Sequence, residues 1–395
     1  MATSTSIPDA AATRTSGGLL VLLTALPHEQ LESVLAKLTA SFPAEQLIIA
    51  THEESATEAH PNLRFVAAAA TGNFWSLTAE DFVQAHELAS AQQANAILML
   101  GPESGSLEAP VLRDLSTAIL NGTADLAIPR YNLSPRAGLL NSAILYPLSR
   151  SLFATRARYP LAVDLGLSPR MAERLAIVAH RYTSLHQSGA LVWPVSEACV
   201  AGNAIAEVEG GPRALPQTAQ PDLNSILPLV TGSLFADVEQ KAAYWQRARQ
   251  LASARAPLPL THVAAAEAAD VASMIQGFRL AYSNLLEIWS LVLPPNALLG
   301  LKRLSLTEPS EFRMPDSLWA RIVFDFVLAY RLHTINRGHL LGALIPLYLA
   351  WVASHINLTA SGADPEQHVE AIAAAFEAEK PYLLSRWRWP DRFNP

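Results

Sequence analysis

From Gly18 to about residue 211, short apolar runs alternate with segments whose apolar residues recur at helical spacing, which is the pattern of a mainly parallel sheet with helices between its strands. Residues 19–23 predict a first strand. Residues 28–41, with Leu31, Val34, Leu35 and Leu38 three or four apart, predict the helix after it, and 47–50 the second strand. Thr78, with Asp81 three residues on, reads as a capping box opening a helix over 79–92, and 96–100 reads as a strand buried on both faces. In this βαβα order ligands sit at the carboxyl ends of the strands, here near 25–29, 51–53 and 101–103.

Residues 125–168 form the next unit: a strand end Ile-Pro-Arg-Tyr, an apolar helix over about 141–153 and a turn Asp-Leu-Gly-Leu-Ser. A helix over 169–186, a segment over 189–202 and a strand-like run Ala-Ile-Ala-Glu-Val-Glu-Gly-Gly follow. After Pro221 the texture changes to long helical patterns over 223–254, 264–291, 315–331 and 340–355, punctuated by Pro257, Pro259, Pro294 and Pro295. The expected division is a flexible tail over 1–17, an α/β domain over 18–221 and an all-helical domain over 222–395.

Half of the 395 residues are apolar and 16% are charged, which excludes a disordered chain. A net charge of −7 disfavours generic nucleic-acid binding, which needs a basic surface. One cysteine, Cys199, forms no internal disulfide and no thiolate zinc cluster, which fits a reducing, cytoplasmic location. The start lacks the basic and apolar regions of a secretory signal. The apolar stretch 340–353 is shorter than the roughly 20 residues of a membrane span and reads as a buried core helix.

No Walker loop is present, and Gly17–Gly18 precedes the first strand, so the dinucleotide fingerprint is absent too. Ser104 in Gly-Pro-Glu-Ser-Gly sits one place too late for a nucleophile elbow. Of eleven histidines, the pairs His180/His186 and His333/His339 are six apart, on different faces of a helix, so no histidine metal site is expected. One charge feature stands out. Residues 126–163 contain no Asp or Glu, while Arg130, Arg136, Arg150, Arg156 and Arg158 give a local +5. Either these arginines form a solvated face or they line an anion site, since guanidinium forks match phosphate or carboxylate. Asp164 follows at once, either as a catalytic or sugar-hydroxyl ligand or as a cap for the next helix.

The stretch 128–168 resembles the middle of bacterial family-2-like glycosyltransferases related to mannosylglycerate synthase and glucosyl-3-phosphoglycerate synthase. Their motifs appear in order as Pro129/Tyr131, Gly138/Asn141, Tyr146/Pro147/Leu148/Arg150 and Pro160/Asp164/Gly166, with the Gly-to-Asn spacing one residue shorter. The segment 314–356 resembles the helical C-terminal domain of the same group, so the similarity spans about 19–357. It implies a glycosyltransferase A-type fold. It also implies a nucleotide-sugar site at the strand ends, with Pro27, Glu29, Glu53 and Gly101, and an anion or acceptor site formed by Arg130, Tyr131, Asn141, Arg150, Arg156 and Arg158. Asp164 and Glu103 are the candidate catalytic carboxylates.

Such relatives hold a divalent metal that neutralises the diphosphate leaving group. This chain departs from their metal motifs at four places. Gly101, Pro102 and Glu103 stand at the Asp-x-Asp position, Gly189, Ala190 and Leu191 opposite a Gly-Ile-Asp turn, Leu215 opposite the metal histidine, and Asn73, Phe74 and Trp75 in place of a Gly-Lys-Gly loop. No metal or other cofactor is therefore expected, since Glu103 alone supplies too few ligands. Three readings follow. The chain is a retaining hexosyltransferase acting from a nucleotide diphosphate sugar on a small anionic acceptor with arginines in place of metal, or a catalytically degenerate homologue acting as a binding or regulatory partner, or an interaction protein. The helical half is a possible homo-oligomer interface.

Overall fold

In the computed structural model, residues 18–389 are described apart from 27, 54–58, 71, 73–74, 188, 214–221 and 249–269. The expected tail over 1–17, Pro27, Asn73, Phe74, Leu215 and the boundary at Pro221 lie outside the described residues.

Seven strands form one sheet: β1 (Leu19–Leu22), β2 (Leu47–Thr51), β3 (Arg64–Ala67), β4 (Ala96–Met99), β5 (Leu126–Asn132), β6 (Leu165–Leu167) and β7 (Ile205–Pro212), in the order β3-β2-β1-β4-β6-β5-β7. All neighbours pair in parallel except β6, which runs antiparallel to β4 and β5. Every residue of β1, β2 and β4 is buried, as uninterrupted aliphatic runs require in a sheet covered on both faces. Helices α1 (His28–Ser41) and α3 (Ala109–Leu120) pack together, as do α2 (Ala79–Gln92) and α5 (Pro169–Thr183). The capping box forms as the spacing predicts: the Asp81 carboxylate accepts the Thr78 backbone N–H at 2.7 Å and its hydroxyl at 2.9 Å.

The remaining helices are α4 (Tyr146–Phe153), entered through a π-type turn over Asn141–Leu145, then α6 (Pro194–Ala201), α7 (Leu223–Gln240), α8 (Ala242–Trp245), α9 (Val271–Asn284), α10 (Leu286–Val292), α11 (Pro295–Leu306), α12 (Asp316–Leu332), α13 (Arg337–Ala360) and α14 (Pro365–Arg388). The α/β class with a C-terminal helical region is the one expected. The apolar residues form two main cores, and their division does not follow the chain at 221. Ile144, Leu148, Leu152 and Phe153, from between β5 and β6, belong to the helical core, as do Leu191 and Trp193. The reason is composition: α4 is buried nearly all round, so it needs apolar partners on both sides. The Trp319 indole N–H of α12 donates to the Ala143 carbonyl at 2.8 Å and ties the two parts together.

At 24 residues, α13 is longer than the stretch 340–353 suggested, and by length and composition it could cross a membrane. In this fold 72% of its most apolar window is buried within the protein.

Candidate functional site

The carboxyl ends of β4, β5 and β7 converge on Asp164. After β4 the chain passes through Gly101, where a Cβ would lie 2.8 Å from the Val163 Cβ and 2.9 Å from its carbonyl oxygen. Only glycine lets the turn before β6 lie this close. The Gly101 N–H then donates to Asp164 Oδ1 at 3.0 Å. Tyr131, near the end of β5, donates its hydroxyl to Asp164 Oδ2 at 2.6 Å. Arg213, just past β7, donates Nε to Oδ2 at 2.7 Å and Nη2 to Oδ1 at 3.2 Å, and Nη2 also reaches the Pro102 carbonyl at 2.7 Å.

Local sequence explains how Arg213 arrives there. The pairing of β5 with β7 shifts register between Arg130 and Asn132, and Gly211 takes the left-handed φ of +59°. Such an irregularity bends a strand end and re-aims the following side chain. The guanidinium lies 5.3 Å from the Tyr131 ring centroid.

This cluster is sealed: the Asp164 side chain is 0% exposed and that of Arg213 1%. Burial pushes the Tyr131 phenol well above its ordinary value, and the Asp164 charge adds to the effect. Burial alone would lower the Arg213 value, but Asp164 and Tyr131 outweigh it and hold the guanidinium charged. A carboxylate offers about four lone-pair positions. Four donors meet Asp164, so it has no lone pair left for a substrate proton or a cation.

Glu103, the other candidate carboxylate, follows β4 with a left-handed φ of +63°. Its carboxylate accepts Gln30 Nε2 from α1 at 2.8 Å, and its carbonyl accepts the Ser106 hydroxyl at 2.6 Å. Glu29 is exposed in the first turn of α1. Glu53 lies 3.7 Å from His28 Nδ1 and 3.4 Å from His52 Nε2. The start of α1 therefore gathers Glu53 and Glu103 at the strand ends, whereas Gly101 serves Asp164. The residues do not fit a divalent cation: one carboxylate is saturated by a guanidinium and the other held by an amide. Among the described residues no three His, Cys, Asp or Glu side chains form a group that could hold one.

Most residues of the expected anion groove meet partners within the fold. Arg150 donates Nη2 and Nε to Glu377 at 3.0 and 3.1 Å, and Nη1 to Glu370 and to the Tyr146 hydroxyl. Arg158, buried between the Tyr146 and Tyr159 rings, donates Nη2 to Glu366 at 3.0 Å and to Ser142 at 2.9 Å. Arg130 Nη2 lies 3.9 Å from the same Glu366. Asn141 donates to the Arg158 carbonyl at 2.9 Å. The three carboxylates are four and seven residues apart on α14, hence on one helical face, and that face meets Arg130, Arg150 and Arg158 of the arginine stretch. Burial would lower the Arg150 and Arg158 values, but these partners hold both above the ordinary guanidinium range. Arg156 is half-buried.

Sequence reasoning missed Arg213 and the acidic face of α14. The Gly-Gly-Pro-Arg run carried a signal for the first, since paired glycines at a strand end mark a bulge.

No family profile matches the chain, and no curated protein matches it. Similar solved structures include glucosyl-3-phosphoglycerate synthase from Mycobacterium tuberculosis in complex with Mn2+, UDP-glucose and phosphoglyceric acid. It is 16% identical over 57% of this chain and 80% of that one, with a TM-score of 0.38. The same enzyme with Mg2+ and UDP is 15% identical over 56% and 79%, with a TM-score of 0.37. A mycobacterial protein is 14% identical over 56% and 74%, with a TM-score of 0.36.

Proposed function

We propose that this protein is a homologue of A-type glycosyltransferases that acts by binding, as a sugar-binding or regulatory partner, rather than by transferring a hexose. The family assignment is supported by the ordered motifs from Pro129 to Gly166 and by a seven-stranded sheet followed by helices. One observation carries the loss of chemistry: Asp164 is fully buried with four donors on it, two of them from Arg213. Hexose transfer from a nucleotide diphosphate sugar develops charge on the departing diphosphate, which a metal or a cation clamp must meet. Glu103 and Asp164 are both engaged within the fold, and the arginines nearby face carboxylates of α14. A cytoplasmic location accords with the single cysteine, Cys199.

A second reading is favoured by Arg213 itself, a cation beside Gly101 and Pro102 where an A-type enzyme would hold its diphosphate. In that reading Arg213 exchanges Asp164 for the diphosphate, and transfer proceeds with retention to a small anionic hydroxyl compound. The two are separated by incubating the protein with UDP-glucose, GDP-mannose or ADP-glucose, with and without Mn2+, and with phosphoglycerate as acceptor. The expected outcome is no nucleotide release above that of the buffer. Acceptor-dependent release by the native chain that disappears in Arg213→Met would establish the transferase instead.

A further inference from the structure

A cavity of about 670 Å³ opens between the end of α5, residues Gln187 and Gly189 to Leu191, and helices α7, α12 and α13. It shares no residue with the Asp164 cluster. Its floor is apolar, formed by Leu191 and Leu341 with the Tyr330 ring between α12 and α13. Gly232 shapes that floor: a Cβ there would sit 2.9 Å from Leu341 Cδ1 and 4.0 Å from the Tyr330 hydroxyl. Leu185 and Leu229 also line it and are 68% and 46% exposed.

Among the described residues that line this cavity the charged ones are Arg181 and Arg337, and no Asp or Glu lines it. Arg337 is braced, with its guanidinium 3.9 Å from the Tyr330 ring centroid and Nη2 3.2 Å from Glu239. Arg181, at the end of α5, has no ion pair or side-chain hydrogen bond among the described residues. Gln187 and Gln240 add amides at the rim. The volume falls within the roughly 300–1,000 Å³ of small-molecule sites, and an apolar interior with a few polar groups is their usual lining.

We infer that this cavity binds a small amphipathic anion, with an apolar chain seated on the leucines and Tyr330 and a carboxylate or phosphate head at Arg181 and Arg337. This holds whether or not the strand-end site is catalytic. A guanidinium fork suits either head group, and the lining leucines suit a single chain.

The test is calorimetric titration of the full chain with dodecanoate, dodecyl phosphate and 1-dodecanol, each below its aggregation concentration. One site per chain is expected, with one or both anions bound about tenfold or more tighter than the alcohol. Arg181→Ala should weaken anion binding by about tenfold and leave the alcohol unchanged. Ala236→Phe, which fills the cavity from α7, should abolish both. If that variant does not fold, Leu229→Asp, at an exposed lining position, should weaken all three ligands. Absence of binding by the native chain, equal affinity for dodecanol and both anions, or anion binding indifferent to Arg181→Ala and to the cavity variants would each overturn the proposal.

Discussion

Asp164 and Arg213 make a buried ion pair whose partners are 49 residues apart and have no route to water. Removing one member of such a pair leaves an uncompensated charge and costs about 3–5 kcal/mol, whereas replacing both with apolar residues is often close to neutral. Asp164→Asn and Arg213→Met are each expected to destabilise by that amount in urea unfolding, and Asp164→Leu/Arg213→Met by clearly less than the sum. Additive losses would contradict a coupled pair. Arg150 is more open, with its side chain 12% exposed against carboxylates 36% and 17% exposed. Its loss in Arg150→Ala is expected to cost about 2 kcal/mol, between exposed and buried pairs, with no change in affinity for any nucleotide sugar. At this scale the sequence displayed half of each pair. Asp164 and the acid-free arginine run were legible as charges, but Glu366, Glu370 and Glu377 lie more than 200 residues downstream of Arg150 and Arg158. No local pattern links them.

The elements of the sheet were legible where periodicity is strong: α1, α2 and the buried strands form at or within a residue or two of where the apolar spacing puts them. The short edge strand β3 and the helix α14 were not. The first is four residues long and exposed at both ends, and the second buries His368, Lys380 and Arg386 among its apolar residues, which blurs the apolar spacing. Helices α13 and α14 meet through two buried histidines, with His355 Nδ1 2.7 Å from His368 Nδ1. One ring must offer a lone pair to the other, so both cannot be imidazolium. Burial first, and His368 second, pull the His355 value down to about 4, while Glu366 opposes and Arg158 adds to the pull. The sign follows from linkage. Between pH 6.5 and 4 the unfolded chain binds the proton and the folded one does not, so this stability is present above pH 6.5 and is lost as pH falls towards 4. About 3 kcal/mol is at stake. Thermal melts from pH 7.5 to 4.5 are expected to show a falling midpoint, and His355→Gln to flatten that slope. An equal slope in the variant would assign the acid sensitivity to other groups.

At the scale of the whole molecule the two cores are interleaved, because α4 lies between two strands of the sheet in sequence and inside the helical core in space. Residues 222–395 expressed alone are therefore expected to lack a cooperative thermal transition, having lost Ile144, Leu148, Leu152 and Phe153 from their interior. A soluble fragment with a sharp transition would refute this. The C-terminal helical region was legible from the change of texture after Pro221. The crossing of α4 was not, since an apolar helix does not announce which neighbour it serves. The face of α14 that meets the arginine stretch has a consequence for biosynthesis. A ribosome releases Arg130, Arg150 and Arg158 long before it makes Glu366, Glu370 and Glu377. Through most of translation that basic segment has none of these counter-charges, and the growing chain meets ribosomal RNA and nascent-chain chaperones in that state. A premature stop near residue 364 would leave every strand of the sheet encoded, yet release a polypeptide in which Arg150 and Arg158 never meet Glu366, Glu370 and Glu377, a product for proteolysis rather than a shortened working protein.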